Sequence, residues 1–472
     1  MVRHPGVSAV TFLLLCVSPW STTSKSLPLN TATTSTRTGV VCTKVGSLFS
    51  AVMRLCICEP CHLHDVVEGI IQRGGSFHAL VWANLLDKSQ NLKVRDDINA
   101  IPASLTTGEK PLFLFDDRTR TITSTHHQKN LIIASTNSTG IDEHPVAFVG
   151  GVDITSDRWD TIYHNESALR EATGVSSSFE GWLDGHVRIH GPAAKDVAAN
   201  FLSRWNSDYE PTQGLAHDLL DLENPSYYDL EPLNYVSSNT SSSLGHQNVQ
   251  IVRTFSCQYK HYDEFAPYGE NSLFQARIKA LMNAKNFIYI EDQSDAYNPT
   301  TYCGGAAPSR GIKSFWVREV YVRDDLPIQK LYPNKFQIYT TTKELDLYIH
   351  SKVVIIDDVY LSVGSANWNR RSMTSDSELG ANIIDDKTVE SPDGITVLRA
   401  ARDFRVRKFQ EMTGLSYEEL DSMTLIEAAN QFDVVAADNS SIIEAYQVKE
   451  QTYFTALTDV MRKAVDPQDT CT

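Results

Sequence analysis

Positive charge is scarce in this sequence, and so are long apolar runs. Its 472 residues carry 42 Lys and Arg against 58 Asp and Glu, a formal net charge of −16. A protein that grips a phosphate backbone does so mainly with clustered Lys and Arg. The balance therefore argues against a nucleic-acid partner and leaves room only for a local basic pocket. Beyond the N-terminus no stretch approaches the length of a transmembrane helix. What is present suits a folded chain, with 42% hydrophobic and 21% charged residues and enough length for two domains or one large bilobal one.

The apolar run that does exist opens the chain. "MVRHPGVSAVTFLLLCVSPWSTTS" has Arg3 near its start, an apolar stretch from Val7 to Val17, and a polar, small-residue end from Ser18 to Ser24. This is the layout of a secretory signal peptide, too short to span a bilayer comfortably. Residues 1–24 are expected to be removed and the protein secreted, with a retained membrane anchor as the alternative. Of the eight cysteines, Cys16 would leave with the signal, so at least one of the remaining thiols stays unpaired or links chains. Sequons at Asn137, Asn165, Asn239 and Asn439 permit secretion without proving it. The cluster Cys56, Cys58, Cys61, His62 and His64 invites a zinc reading. It lacks the second, separated ligand pair that zinc sites usually have, so disulfides or packing are expected there.

After a Thr-rich tether, "TATTSTRTG", helix and strand patterns alternate. "VVEGIIQRGG" closes a helix on a glycine pair, "SFHALVWANLL" follows as a buried strand, and "HVRIHGP" leads into the helix "AAKDVAANFLSRWN". Residues 211–246, rich in Pro, Asn, Ser and Tyr, read as a linker. The second half brings "VQIVRTFS", "SLFQARIKALMNAKN" and "FIYIEDQ" as strand, helix and strand, and helical segments follow from Val397 to Thr413 and beyond. Alternation of this kind indicates α/β layering, with helices covering a mixed sheet.

"HSKVVIID" spans residues 350–357. On a strand, residues two apart point to the same side, so His350 and Lys352 share a face. "HQKNLIIA" at 127–134 places His127 and Lys129 in the same relation. Each run feeds a second apolar strand ending in a small-residue pair, "VAFVGG" at 146–151 and "YLSVGS" at 360–365. The chain thus contains an internal repeat. With these two motifs it resembles the phospholipase D superfamily, whose members carry two H-x-K-x4-D motifs at a pseudo-twofold interface. "FVGGVDITSDRWD", "DGHVRIHGPAAKDVAANFLSRWN", "IYIEDQ" and "GSANWNRRSMTSDSEL" also resemble segments of the phospholipase D type.

The resemblance implies an α/β fold of two pseudo-symmetric α/β/α sandwich lobes. Each lobe would be a mixed sheet flanked by helices, with the active site at the lobe interface. The expected divisions are a signal peptide at 1–24, a divergent N-terminal segment at 25–75, the first lobe at 76–210, a linker at 211–248, the second lobe at 249–415 and a helical C-terminal tail at 416–472.

It also implies a division of labour. One histidine attacks phosphorus and the other protonates the leaving oxygen and then activates water; His127 is assigned as nucleophile and His350 as general acid/base, an order that could be exchanged. Lys129 and Lys352 would hold the non-bridging oxygens. Asp184 is expected to orient His127, and Glu378 to orient His350 with Asp376 as its fallback. Asn367, Ser365, Gly151 and Asp153 form the expected substrate-binding set, Asp153 as an anion that positions a neighbour. Asp357 is counted with the catalytic residues as the end of the second motif. It lies five residues past Lys352, roughly 16 Å along a strand, where a structural role is expected. The first motif has Ala134 at that position. No metal or other cofactor is required, since lysines and asparagine take the place of one.

The expected activity is that of a secreted phospholipase D-type phosphodiesterase. It would convert glycerophospholipids such as phosphatidylcholine to phosphatidic acid through a phosphohistidine, with transfer to other alcohols. The expected partner is phospholipid at a membrane surface, with no nucleic acid, and the protein is expected to be a monomer. Two alternatives stay open. One is a nuclease-type phosphodiesterase of the same superfamily. The other is a catalytically impaired secreted lipid-binding or interaction protein, motivated by Ala134 and by the short stretch between Glu291 and His350.

Overall fold

Apolar strands buried along their whole length need cover on both faces, and "LFLFD" at Leu112–Asp116 is one of these. The computed structural model describes residues 7–8, 37–42, 63–82, 88–119, 124–136, 142–153, 158, 160–164, 181–211, 224–233, 247–258, 265–295, 311–313, 337, 339–342, 345 and 347–446. Leu112–Asp116 is the edge of a seven-stranded sheet ordered Val7–Ser8, His186–His190, Asp142–Gly150, Asn130–Thr136, Arg37–Cys42, Ser76–Trp82, Leu112–Asp116. The last three of these run parallel and the other neighbours antiparallel. The strand Arg37–Cys42 begins inside the segment read as a Thr-rich tether.

A second sheet of five strands is ordered Ile288–Glu291, Val353–Ile356, Tyr360–Gly364, Glu378–Asp385, Gln247–Thr254. All its neighbours are antiparallel, so the mixed sheet expected of the second half is not what these strands form. Parallel neighbours need a long crossover between them. The crossover through Ser272–Met282 joins the two opposite edges of this sheet, and the motif strand Val353–Ile356 pairs with its successor Tyr360–Gly364 by a short turn.

The helix Ala193–Trp205 shows why the halves stay together. Ala194, Val197, Ala198, Phe201 and Trp205 recur at helical spacing and form one buried stripe. That stripe joins Val149, Val187 and Ile189 of the first sheet and Val353, Ile355, Val363 and Leu379 of the second in a single hydrophobic cluster. The linker contributes as well. Tyr227, Leu230 and Leu233 pack against the same cluster, and the Asn206 side chain bonds both backbone groups of Leu230.

The C-terminal segment is built into the second half. Capping boxes at Ser416 with Glu419 and at Thr424 with Glu427 start the helices Tyr417–Ser422 and Leu425–Ala436. Leu420, Ala428 and Phe432 then pack with Phe409, Met412, Leu183 and Ile349, beneath the strand Leu347–Ile349 that leads into His350. Among the described residues no helix is long and apolar enough to cross a membrane. The signal-peptide reading falls, apart from the two-residue strand Val7–Ser8, on residues outside the described ones, as does the cysteine cluster at 56–61.

Candidate active site

Both H-x-K segments precede their strands, and each is held by the other half of the chain. Leu347–Ile349 pairs in parallel with Gly181–Leu183, and the Leu183 carbonyl accepts the amides of His350 at 2.7 Å and Ser351 at 3.1 Å. In the same manner His126 bridges Ser377 in parallel, and the His127 amide donates to the Ser377 carbonyl at 2.9 Å. These exchanges bring the two imidazoles, 223 positions apart in sequence (350 − 127), to a ring-centroid distance of 6.5 Å.

The carboxylates cross as well, which corrects the expected pairing. Glu378, not Asp184, meets His127, with its oxygens 3.0 and 3.1 Å from Nδ1. Asp184, not Glu378, meets His350, with Oδ2 2.8 Å from Nδ1. The reason lies in the backbone: each carboxylate leaves the segment that the opposite motif pairs with. Glu378 follows Ser377, the bridge partner of His126, and Asp184 follows Leu183, the partner of Ile349. Each acid fixes Nδ1 and leaves Nε2 for chemistry. Asp376 instead accepts the Thr125 amide at 2.8 Å and pairs with Arg371.

Lys129 Nζ donates to the His127 carbonyl at 2.9 Å and lies 3.4 Å from Asp153 Oδ1. Lys352 Nζ donates to the His350 carbonyl and to Gln293 Oε1 at 2.9 Å. Burial lowers the Lys352 ammonium to about 8, with Asp184 opposing and Lys129 assisting. Burial, helped by the Lys352 charge and opposed by Asp184, lowers His350 to about 3. His350 is therefore neutral in the free protein. Asp153 is central: its other oxygen is 3.5 Å from Arg158 and 3.9 Å from His350 Nε2. Asp153 thus lies as an anion among three cationic or titratable groups.

The remaining expected residues divide. Ser365 is fully buried, donates to Glu378 Oε2 at 2.5 Å and accepts the Leu379 amide at 3.1 Å, so it holds the carboxylate and is not a substrate contact. Gly151 makes room: a Cβ there would stand 2.2 Å from Asp184 Oδ1 and 2.9 Å from the His350 carbonyl. Asn367 is buried just past the strand Tyr360–Gly364, with an Oδ1 that has no partner among the described residues. Asp357 is no catalytic residue. In a left-handed turn (φ 53°) it accepts the amides of Lys285, Asn286 and Phe287 at 2.7–2.8 Å, at the end of the motif strand away from His350. Its counterpart Ala134 sits buried at a β-bulge.

Several residues at the site escaped the sequence reading. The Arg158 guanidinium lies 3.6 Å over the Trp182 ring; Trp182 and Tyr348 both flank His350, at 5.7 and 6.1 Å between centroids. Gln293 bonds Lys352 and, at 2.6 Å, the Tyr348 hydroxyl. Tyr348 was within reach of the argument, since it stands two residues before His350 and shares its face. Trp182 and Arg158 carry no such periodic signal.

Known proteins share this chain's sequence features. A family model described as "Phospholipase D" matches residues 97–296, and one described as "Cardiolipin synthase, PLD-like domain" matches residues 317–393; together they cover more than half of the chain. Phospholipase D A of Dictyostelium discoideum is 26% identical over 379 residues, covering 61% of this chain and 27% of that protein. Phospholipase D beta 2 of Arabidopsis thaliana is 32% identical over 205 residues, covering 36% of this chain and 22% of that protein. The chain thus spans about a quarter of the length of these two relatives. A crystal structure of phosphatidylserine synthase from Haemophilus influenzae aligns with a TM-score of 0.40 at 13% identity, over 74% of this chain and 78% of that one. Matched by both family models, each over one of its H-x-K halves or their flanks, the chain belongs to the phospholipase D superfamily.

Proposed function

We propose that this protein is a phospholipase D-type phosphodiesterase acting on glycerophospholipids through a phosphohistidine. The observation that carries the reading is the pair of imidazoles 6.5 Å apart, each backed by a carboxylate from the other half. A phosphorus atom between them can be attacked from one side while the leaving oxygen is protonated from the other. His127, the more exposed of the two, attacks through Nε2; the phosphorus–oxygen bond to the head group breaks as His350 Nε2 gives it a proton. His350 then takes a proton from water, the resulting hydroxide displaces His127, and phosphatidic acid leaves. A small alcohol in place of water gives a transferred phosphatidyl ester. Lys129 and Lys352 neutralise the charge that gathers on the non-bridging oxygens.

His350 starts neutral, so its proton must come with the substrate. The anionic diester, placed beside Nε2, favours the imidazolium that burial and Lys352 otherwise suppress. Ala134 has no bearing on this chemistry, because it lies at the far end of its strand. The two-lobe repeat is supported by the same exchange of carboxylates, and secretion by the N-terminal layout together with the disulfide-bonded Cys257.

The test uses phosphatidylcholine vesicles, with choline release and ethanol transfer followed together. Wild type is expected to do both, and His127→Ala and His350→Ala to lose at least about a thousandfold. Absence of either product in wild type, or retention of both in the variants, rejects the reading.

A further inference from the structure

A line of buried charges behind His350 takes no part in the steps above. His164 Nδ1 lies 2.7 Å from Asp160 Oδ2, and its Nε2 lies 3.6 Å from Glu411 Oε1. Glu411 accepts from Lys408, whose Nζ is also 2.8 Å from Glu291 Oε1. Glu291 accepts from the Ser351 hydroxyl and from Tyr289 at 2.7 Å. All five charged members are buried.

Both ends of this line return to one place. Asp160 Oδ2 accepts the Trp182 amide at 2.8 Å, and Ser351 is the residue after His350. Trp182 lies on one strand and Ser351 just past the other of the parallel pair Gly181–Leu183 and Leu347–Ile349. The charges therefore close a bracket around the two-stranded ladder that carries His350 and Asp184. The far side of the bracket is the helix Arg399–Thr413, which supplies Lys408 and Glu411.

Such an arrangement is costly. Each buried ion loses several kcal/mol of hydration that pairing only partly returns, and apolar side chains of equal volume would often be as stable. His164 in addition holds a left-handed backbone, φ 49°, a conformation that persists in a non-glycine residue only where the surroundings over-determine it. Stability alone does not account for this investment at the back of a reactive imidazole.

We infer that Asp160, His164, Glu411, Lys408 and Glu291 form a positioning assembly that fixes His350 relative to the bound phosphodiester. The inference rests on the proposed role of His350 as general acid. Loosening the bracket lets the ladder shift, and a displacement near 1 Å at a proton donor can cost about a hundredfold in rate.

Leaving-group chemistry separates positioning from a merely structural role. Glu411→Gln, Lys408→Met and Lys408→Arg would be assayed on phosphatidylcholine and on phosphatidyl-p-nitrophenol, whose nitrophenolate departs without being protonated. Leaving-group release is read in the first turnover for both esters, before His350 activates water; on phosphatidylcholine it is expected to slow about 10- to 100-fold for Glu411→Gln and Lys408→Met. On the nitrophenyl ester the same variants should lose less than about threefold, and Lys408→Arg should stay near wild type on both. If Lys408→Met does not fold, the comparison is read on Glu411→Gln. Equal losses on the two esters, or no loss on either, overturn the inference. A wild type inactive on both rejects the proposed function, and the inference with it.

Discussion

A buried histidine and a buried lysine two residues apart set the acid–base character of the second motif. Burial, then the neighbouring Lys352, holds His350 down to about 3, against the pull of Asp184. A general acid in that state must gain its proton as the anionic substrate arrives. Binding of a non-hydrolysed phosphodiester analogue, which has no ionisation of its own near neutral pH, is therefore expected to take up close to one proton per site. Calorimetry in buffers of different ionisation enthalpy measures this directly; no uptake would mean that His350 remains neutral and cannot act first as an acid. His164 behaves in the opposite sense. Burial alone would lower it, yet its bonds with Asp160 and Glu411 bring it up to about 9 from 6.5. Because its folded value is raised, the stability it contributes is complete below about 6.5 and is lost as pH rises through about 9. The urea midpoint should fall across that window in wild type, and His164→Gln should flatten the fall.

At the scale of elements, function depends on which segment meets which. The two short parallel contacts, Leu347–Ile349 with Gly181–Leu183 and His126 with Ser377, decide that the orienting acids serve the opposite halves. Glu378→Gln should remove the downfield Nδ1 proton resonance of His127 and spare that of His350; Asp184→Asn should do the reverse. Proton spectra of the two variants check it, and loss of the same-half signal instead would contradict the crossed geometry. Sequence showed the motif strands, the glycine pairs and the helix Ala193–Trp205, because periodicity and small-residue punctuation are local signals. It could not show the crossing, because Asp184 follows the first motif and Glu378 the second in sequence, and only long-range strand pairing gives each acid to the other histidine. The strand Leu112–Asp116 also went unassigned, although its Asp116 binds Arg118 and Arg204 and lies 3.2 Å from His126. A short apolar run without alternation gives little to distinguish strand from helix.

Across the whole molecule, one hydrophobic cluster serves both sheets, so the site between them is only as firm as that shared core. Phe201 is fully buried within it, between the two halves. Phe201→Ala removes a large side chain where neighbours can collapse only partly, which typically costs about 3–5 kcal/mol. If the halves were independent, such a loss would melt the first sheet and leave the second folded, giving a two-step transition. A shared core predicts something else: a single cooperative transition moved to lower urea, with its slope preserved. Fluorescence and far-ultraviolet dichroism should give coincident curves, and head-group release should disappear along the same curve, because the imidazoles come from opposite sides of the core that fails. A biphasic melt in which the second half outlasts activity would show that the halves are joined only at the site, and that the cluster around Phe201 is not what holds His127 opposite His350.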